Sequence, residues 1–208
     1  MFNIEQHPLA VIAVVTALPG SGKTTTLKKF VEIMPDMSVV NYGDLMFEEA
    51  KKNYGIVHRD EMRERLGLRD YQRLQRLAAE KISAMKNVVV DTHSVIKTPF
   101  GYYPGLPGEA VRIMSPELIV FIECRSEDIL NRRLKDLTSG VDRKRETSSL
   151  EEIERDQQVG KQFVVAAANA ASCYLKIVSL TYPESRPFEH AEVAAEQIAT
   201  AIKNIMKK

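Results

Sequence analysis

Ala10-Val11-Ile12-Ala13-Val14-Val15-Thr16-Ala17-Leu18-Pro19-Gly20-Ser21-Gly22-Lys23-Thr24-Thr25 is the stretch that decides the fold. Its first half is short, almost wholly apolar and rich in β-branched residues, as in a strand buried on both faces. Its second half is a glycine-rich turn that ends on Gly22-Lys23-Thr24 and opens a helix. A turn in that setting is suited to phosphate. Backbone N–H groups from Gly20 to Thr24 can wrap a β-phosphate, the glycines let the chain come close, and the helix N-terminus adds positive potential. Lys23 is placed to bridge β- and γ-phosphates, and the Thr24 hydroxyl to ligate Mg²⁺. Ala17, Leu18, Pro19, Gly20, Ser21, Gly22, Lys23, Thr24 and Thr25 are therefore the expected nucleotide-binding residues. Alanine stands at 17 where the stricter pattern has glycine, a mild departure because the inner glycines make the tightest approach.

Outward from this loop, short apolar runs alternate with amphipathic stretches. The runs Ala10–Thr16, Ser38–Asn41, Asn87–Asp91, Leu118–Glu123 and Leu175–Ser179 read as parallel strands. Between them, Tyr71, Leu74, Leu77, Ala78, Ile82 and Met85 fall on one helical face, with Arg73, Arg76 and Lys81 outside it. Ser126 with Glu127 and Asp128 marks one helix start, and Ser149 with Glu152 has capping-box spacing. Ala194, Ile198, Ile202 and Ile205 give the last helix, Glu189 to Met206, its apolar side. The alternation predicts one three-layer α/β domain with a five-stranded parallel sheet over residues 1–208. Two spans leave this rhythm, 42–70 and 138–148, and read as inserts at the sheet rim, where ligands bind in open α/β sheets and lids move.

The bulk composition sets limits. Lysine plus arginine number 29 against 28 aspartate plus glutamate, so phosphate binding must come from local clusters. That balance, with no aromatic-basic interleaving, argues against a nucleic-acid partner. Cys124 and Cys173 belong to no CxxC pair or Cys/His cluster, which fits free thiols and a cytoplasmic home. The longest apolar run near the start, Leu9 to Leu18, is too short to span a membrane.

Asn87-Val88-Val89-Val90-Asp91 ends a buried strand in a carboxylate. Paired with the phosphate loop, Asp91 is the second candidate Mg²⁺ ligand beside Thr24. His93 follows as a phosphate-side donor or a turn histidine.

Three further blocks come in order: Asn41-Tyr42-Gly43-Asp44, Arg59-Asp60-Glu61-Met62-Arg63, and the long run from Asp91-Thr92-His93 through Lys97 and Gly101-Tyr102-Tyr103 to Pro107. With the phosphate loop they make the chain resemble the archaeal type of adenylate kinase over nearly its whole length. The resemblance implies a P-loop kinase fold with a small NMP-binding insert (42–70) and a lid insert (138–148). It implies the reaction ATP + AMP ⇌ 2 ADP with Mg²⁺, adenine nucleotide homeostasis, a cytoplasmic location and a homotrimer. Gly43 and Asp44 resemble the start of the AMP-side helix. Bacterial relatives carry an AMP-phosphate arginine three positions after that aspartate; Phe47 stands there in this chain, so Arg63 first and Lys97 next are the expected cations. His93 completes the phosphate side. Tyr102 or Tyr103 would line the adenine pocket, with Tyr103 the expected contact. Arg132, Arg143 and Arg145 are the expected catalytic arginines beside Lys23. Arg133 lies among them, and Ser139-Gly140-Val141-Asp142 looks like a small insertion that loosens the register of the lid arginines.

An AMP phosphate is already anionic, so no general base is required, and catalysis reduces to positioning and charge neutralisation. Two alternatives stay open: a kinase for another small acceptor (a nucleoside monophosphate, or a hydroxyl-bearing metabolite that would draft Asp44 or Asp91 as base), and an adenylate-kinase-like nucleotide-dependent RNA or ribosome factor.

Overall fold

The structure is a computed structural model that describes residues 10–138 and 149–207. The apolar run before the glycine turn forms β1 (Ile12–Ala17), with every residue buried. The chain then passes through α1 (Lys23–Ile33), β2 (Ser38–Asn41), α2 (Tyr42–Tyr54), α3 (Glu61–Arg65), α4 (Leu68–Ser83) and β3 (Val88–Thr92). It continues through β4 (Val95–Thr98), β5 (Gly101–Pro104), α5 (Gly108–Met114), β6 (Leu118–Cys124) and α6 (Ser126–Thr138). It closes with α7 (Leu150–Ala171), β7 (Tyr174–Leu180) and α8 (Glu189–Met206).

Five strands pair in the order β2-β3-β1-β6-β7, every pair parallel. The expected three-layer α/β sheet is present. Alternation along β1 sends Ala13, Val15 and Ala17 to a core shared with α1, α6 and α8, where Leu27, Phe30, Ile129 and Ile198 pack. Ile12 and Val14 go to the opposite core with α2, α4, α5 and α7, built on Leu74, Ile82, Met114 and Val164. The three inner strands carry the buried runs that made them legible. The edge strands differ from expectation: Val39 of β2 and Tyr174 of β7 are substantially exposed, because only one neighbour covers each strand.

The run from Asp91 to Pro107 contains an antiparallel hairpin, β4 against β5, with Lys97 opposite Tyr102 and Ile96 opposite Tyr103. The capping box at α7 forms as its spacing predicts: Ser149 Oγ accepts from Glu152 N–H (3.2 Å) and the Glu152 carboxylate accepts from Ser149 N–H (2.8 Å). Most of the 138–148 insert lies outside the described residues.

Candidate active site

β1 stops where the phosphate loop begins. Gly20 and Gly22 take left-handed backbone angles (φ 94° and 85°), which side chains other than glycine rarely adopt. Gly22 caps α1 without a side-chain acceptor, so the first N–H groups of that helix stay open toward the cleft. Lys23, the first helical residue, is buried; it donates to the Thr92 carbonyl and pairs with the Asp91 carboxylate. Burial pushes the Lys23 ammonium below its ordinary pKa, against the opposing pull of Asp91.

Parallel register sets Val15 of β1 beside Asp91 of β3, which brings the carboxylate to the mouth of the loop. Its other oxygen accepts from Asn41 Nδ2 at 3.1 Å. Thr24 and Asp91 both line the cleft. Among the described residues no group of three or more His, Cys, Asp or Glu gathers. Mg²⁺ takes oxygen ligands, typically one or two from protein with phosphate and water completing the shell, and the Thr24 hydroxyl and Asp91 carboxylate fit that demand. His93 also lines the cleft, its Nδ1 3.4 Å from the Ala17 carbonyl. Burial, helped by the charge on Lys23, pushes its pKa down to about 4, so the ring is neutral.

α6 grips the loop from outside. Arg132 donates through Nη1 to the Ser21 carbonyl (3.3 Å) and through Nη2 to Glu184 (3.2 Å). The buried Arg133 donates through Nε to the Pro19 carbonyl (3.0 Å). Arg143 and Arg145 lie outside the described residues.

A single cleft of about 620 Å³ runs from this loop to a wall made by α2, α3, α4 and the hairpin. Gly43 and Arg63 line it. Asp44 does not; it accepts from Arg59 Nη1 at 2.6 Å, while Arg59 Nη2 donates to Asn41 Oδ1 at 3.2 Å. That same Asn41 oxygen caps α2 by accepting from Asp44 N–H. Arg59 therefore lies across Gly43 with its guanidinium in the cleft. Phe47 is half-buried against the core below Lys51. Lys97 stands outside the cleft lining, paired with the buried Asp156 at 2.9 Å. Tyr103 lies behind the wall, donating to Gln75 Oε1 (2.8 Å) and packing edge-on against Tyr71, which faces the cleft.

The cleft also contains Asn41, Arg59, Tyr71 and Gln75, which the sequence reading did not single out as site residues. Gln75 left a signal: it interrupts the apolar face of α4 and is itself buried. Arg59 left little, since its partner lies fifteen residues away.

Residues 16–154 match the family model described as AAA domain, so the chain carries that domain. An adenylate kinase of Pyrobaculum aerophilum is 46% identical over 197 residues, covering 94% of this chain and 98% of the relative. The adenylate kinase of Pyrococcus furiosus is 40% identical, covering 80% and 85%, and that of Thermoplasma acidophilum 39%, covering 90% and 98%.

The chain belongs to the adenylate kinase family, in its archaeal form.

The fold of this chain is shared more widely. Solved shikimate kinases from Bacteroides thetaiotaomicron (TM-score 0.56, 15% identity, 93% of this chain and 98% of that one) and Aquifex aeolicus (TM-score 0.54, 18% identity, 95% and 100%) superpose on it. Among the described residues, no helix is long and apolar enough to cross a membrane.

Proposed function

We propose that the chain catalyses the reversible transfer ATP + AMP ⇌ 2 ADP with Mg²⁺, in the service of adenine nucleotide balance. The observation that carries the reading is the continuity of the cleft, with a phosphate loop at one end and Gly43, Arg59 and Arg63 at the other. Two nucleotides entering from the two ends would meet phosphate to phosphate.

The loop N–H groups and the start of α1 hold the β-phosphate of the donor. Lys23 turns from Asp91 to the transferring group and neutralises charge that spreads over its oxygens. Thr24 and Asp91 would hold the metal, which when bound neutralises phosphate charge and fixes the donor's conformation. Arg132, close to the loop, with Arg143 and Arg145 from the lid, would add positive charge as the lid shuts and water leaves. On the acceptor side Arg63 and Arg59 grip the AMP phosphate. Arg59 must leave Asp44 to do so; both partners are exposed, so parting them costs little, about 0–1 kcal/mol. Gly43 opens the helix that holds the acceptor, and neutral His93 lies beside the phosphates without adding charge. Lys97 stiffens the hairpin through Asp156 instead of reaching substrate. The acceptor oxygen is anionic, so no base is needed. Asp91, bonded to Asn41 and committed to the metal, is poorly placed to become one.

A coupled assay across AMP, CMP, UMP and a hydroxyl-bearing acceptor tests the reading. AMP should give ADP at the highest kcat/KM. Transfer to another acceptor with none to AMP would overturn it. Negligible AMP-dependent turnover with salt-dependent RNA binding would favour the RNA-factor alternative. A cytoplasmic homotrimer belongs to the same reading; light scattering should return three times the chain mass, and a strict monomer would refute that part.

A further inference from the structure

We infer that His190 is a positioning residue that seats Arg132 over the phosphate loop; this rests on the reading above of Arg132 as a catalytic arginine. His190 lies in the first turn of α8, is 2% exposed, and is used by no step of the transfer described above. A buried imidazole needs partners for its ring nitrogens. Both have one. Nε2 is 2.8 Å from the Tyr182 carbonyl, and Nδ1 is 3.4 Å from Arg132 Nη2. A carbonyl only accepts and a guanidinium only donates. The ring proton therefore sits on Nε2, and Nδ1 is the bare nitrogen that accepts from Arg132. The Tyr182 ring meets the imidazole edge-on, with centroids 4.9 Å apart, so the residue that fixes the tautomer also holds the plane of the ring.

The backbone of His190 adds a second hold. Its N–H is one of the donors that the start of a helix leaves without a helical partner, and it donates to Glu184 Oε1 at 3.1 Å. The other oxygen of that carboxylate, Oε2, accepts from Arg132 Nη2 at 3.2 Å. Nη2 is thus gripped by the His190 ring and by a carboxylate that the His190 backbone keeps in place. Nη1 reaches the other way. It donates to the Ser21 carbonyl at 3.3 Å and lies 3.9 Å from where a Cβ on Gly22 would stand. Arg132, Ser21 and Gly22 all line the cleft. A long side chain has many rotamers, and its charge speeds transfer only if its place is set before the reaction begins. The choice of imidazole also matters. In this tautomer the ring orients the guanidinium and cancels none of its charge. A second carboxylate at the same point would weaken its pull on phosphate. Core packing alone gives no reason for a bare nitrogen to face a cation.

The test is a double-mutant cycle on kcat with ATP and AMP, using the wild type, His190→Gln, Arg132→Ala and the double variant. Glutamine keeps a donor near the place of Nε2 and loses the acceptor at Nδ1. His190→Gln should lower kcat roughly 5- to 50-fold and leave KM for AMP within about twofold, since the acceptor end of the cleft is untouched. In the Arg132→Ala background the same change should cost little more, because the arginine it serves is gone. His190→Asn, whose side-chain oxygen comes close to the place of Nδ1, should recover most of the loss. Equal losses in the Asn and Gln variants, losses that multiply in the cycle, or wild-type kcat in a folded His190→Gln each overturn the inference. Should His190→Gln fail to fold, NMR of the imidazole nitrogens in the wild type decides. At mildly alkaline pH, Nδ1 should appear as the bare nitrogen, and a proton on Nδ1 overturns the inference. Normal turnover in Arg132→Ala defeats the reading of Arg132 itself, whereas an impaired Arg132→Ala beside an indifferent His190→Gln defeats only the role of His190.

Discussion

At the scale of single residues, Lys23 and His93 carry the sharpest consequences. Lys23→Met should lower transfer by at least about 10²–10³-fold, the usual cost of removing one preorganised charge at a transition state. The same change leaves the Asp91 carboxylate without its cation, so Lys23→Met/Asp91→Asn should be more stable than Lys23→Met and equally inactive. Turnover assays and urea unfolding read both effects, and near-normal turnover in Lys23→Met would sink the phosphate-loop assignment. His93 makes a pH statement. Its folded pKa is pushed from 6.5 to about 4, while the unfolded chain binds the proton near 6.5. Between those values the unfolded state holds more protons, so stability falls as pH drops through that window and this contribution stops growing below about 4. The wild type should lose roughly 1–3 kcal/mol there, and His93→Gln correspondingly less. Equal slopes for the two proteins would refute it. Residues of this kind were legible when their chemistry was written in a local run: Lys23 and Asp91 end or follow apolar strands. Lys97 and Tyr103 were not, because only the hairpin decides that one meets Asp156 and the other Gln75.

Among the elements, the inner strands and the long helices could be read from periodicity, since burial on two faces or one stripe leaves an unambiguous pattern. The hairpin could not. Two strands of four residues, separated by a tight turn and carrying prolines, present too short a repeat to tell from a loop. Its return depends on Gly105, whose N–H donates to the Ser94 carbonyl at 2.9 Å and whose α-carbon faces the His93 carbonyl. A Cβ there would collide with backbone, which cannot swing aside. Gly105→Ala should therefore cost about 1–3 kcal/mol or more and raise KM for AMP more than KM for ATP, because the displaced segment walls the acceptor end. Thermal unfolding with two-substrate kinetics checks it; unaltered KM values for both nucleotides would show that the hairpin is irrelevant to the acceptor. α7 ties this element to the rest. Asp156 accepts from Tyr102 and pairs with Lys97, while its neighbour Gln157 bonds both backbone groups of Cys124 at the end of β6. α7 thus holds the hairpin that walls the cleft and the end of β6 together.

For the whole molecule, the phosphate loop depends on parts far from it. α1 packs beside α8 on one face of the sheet, with Leu27 and Phe30 in the same core as Ala194, Ile198 and Ile202. Ile198→Ala should cost about 2–5 kcal/mol through the cavity it leaves, yet keep kcat near normal well below the unfolding temperature. Calorimetry beside kinetics at 25 °C tests this, and lost turnover in the folded variant would point to a direct role for α8. The strand order has a further result, in terms of synthesis. β1 is made early but is flanked by β3 and β6, and α1 is covered by α8, the last helix described. A ribosome-bound chain holding only the glycine turn and its helix has neither flank, so the loop that binds nucleotide would take shape only after β3, β6 and α8 have been made. Nucleotide would then stabilise only a chain in which those distant elements are already in place.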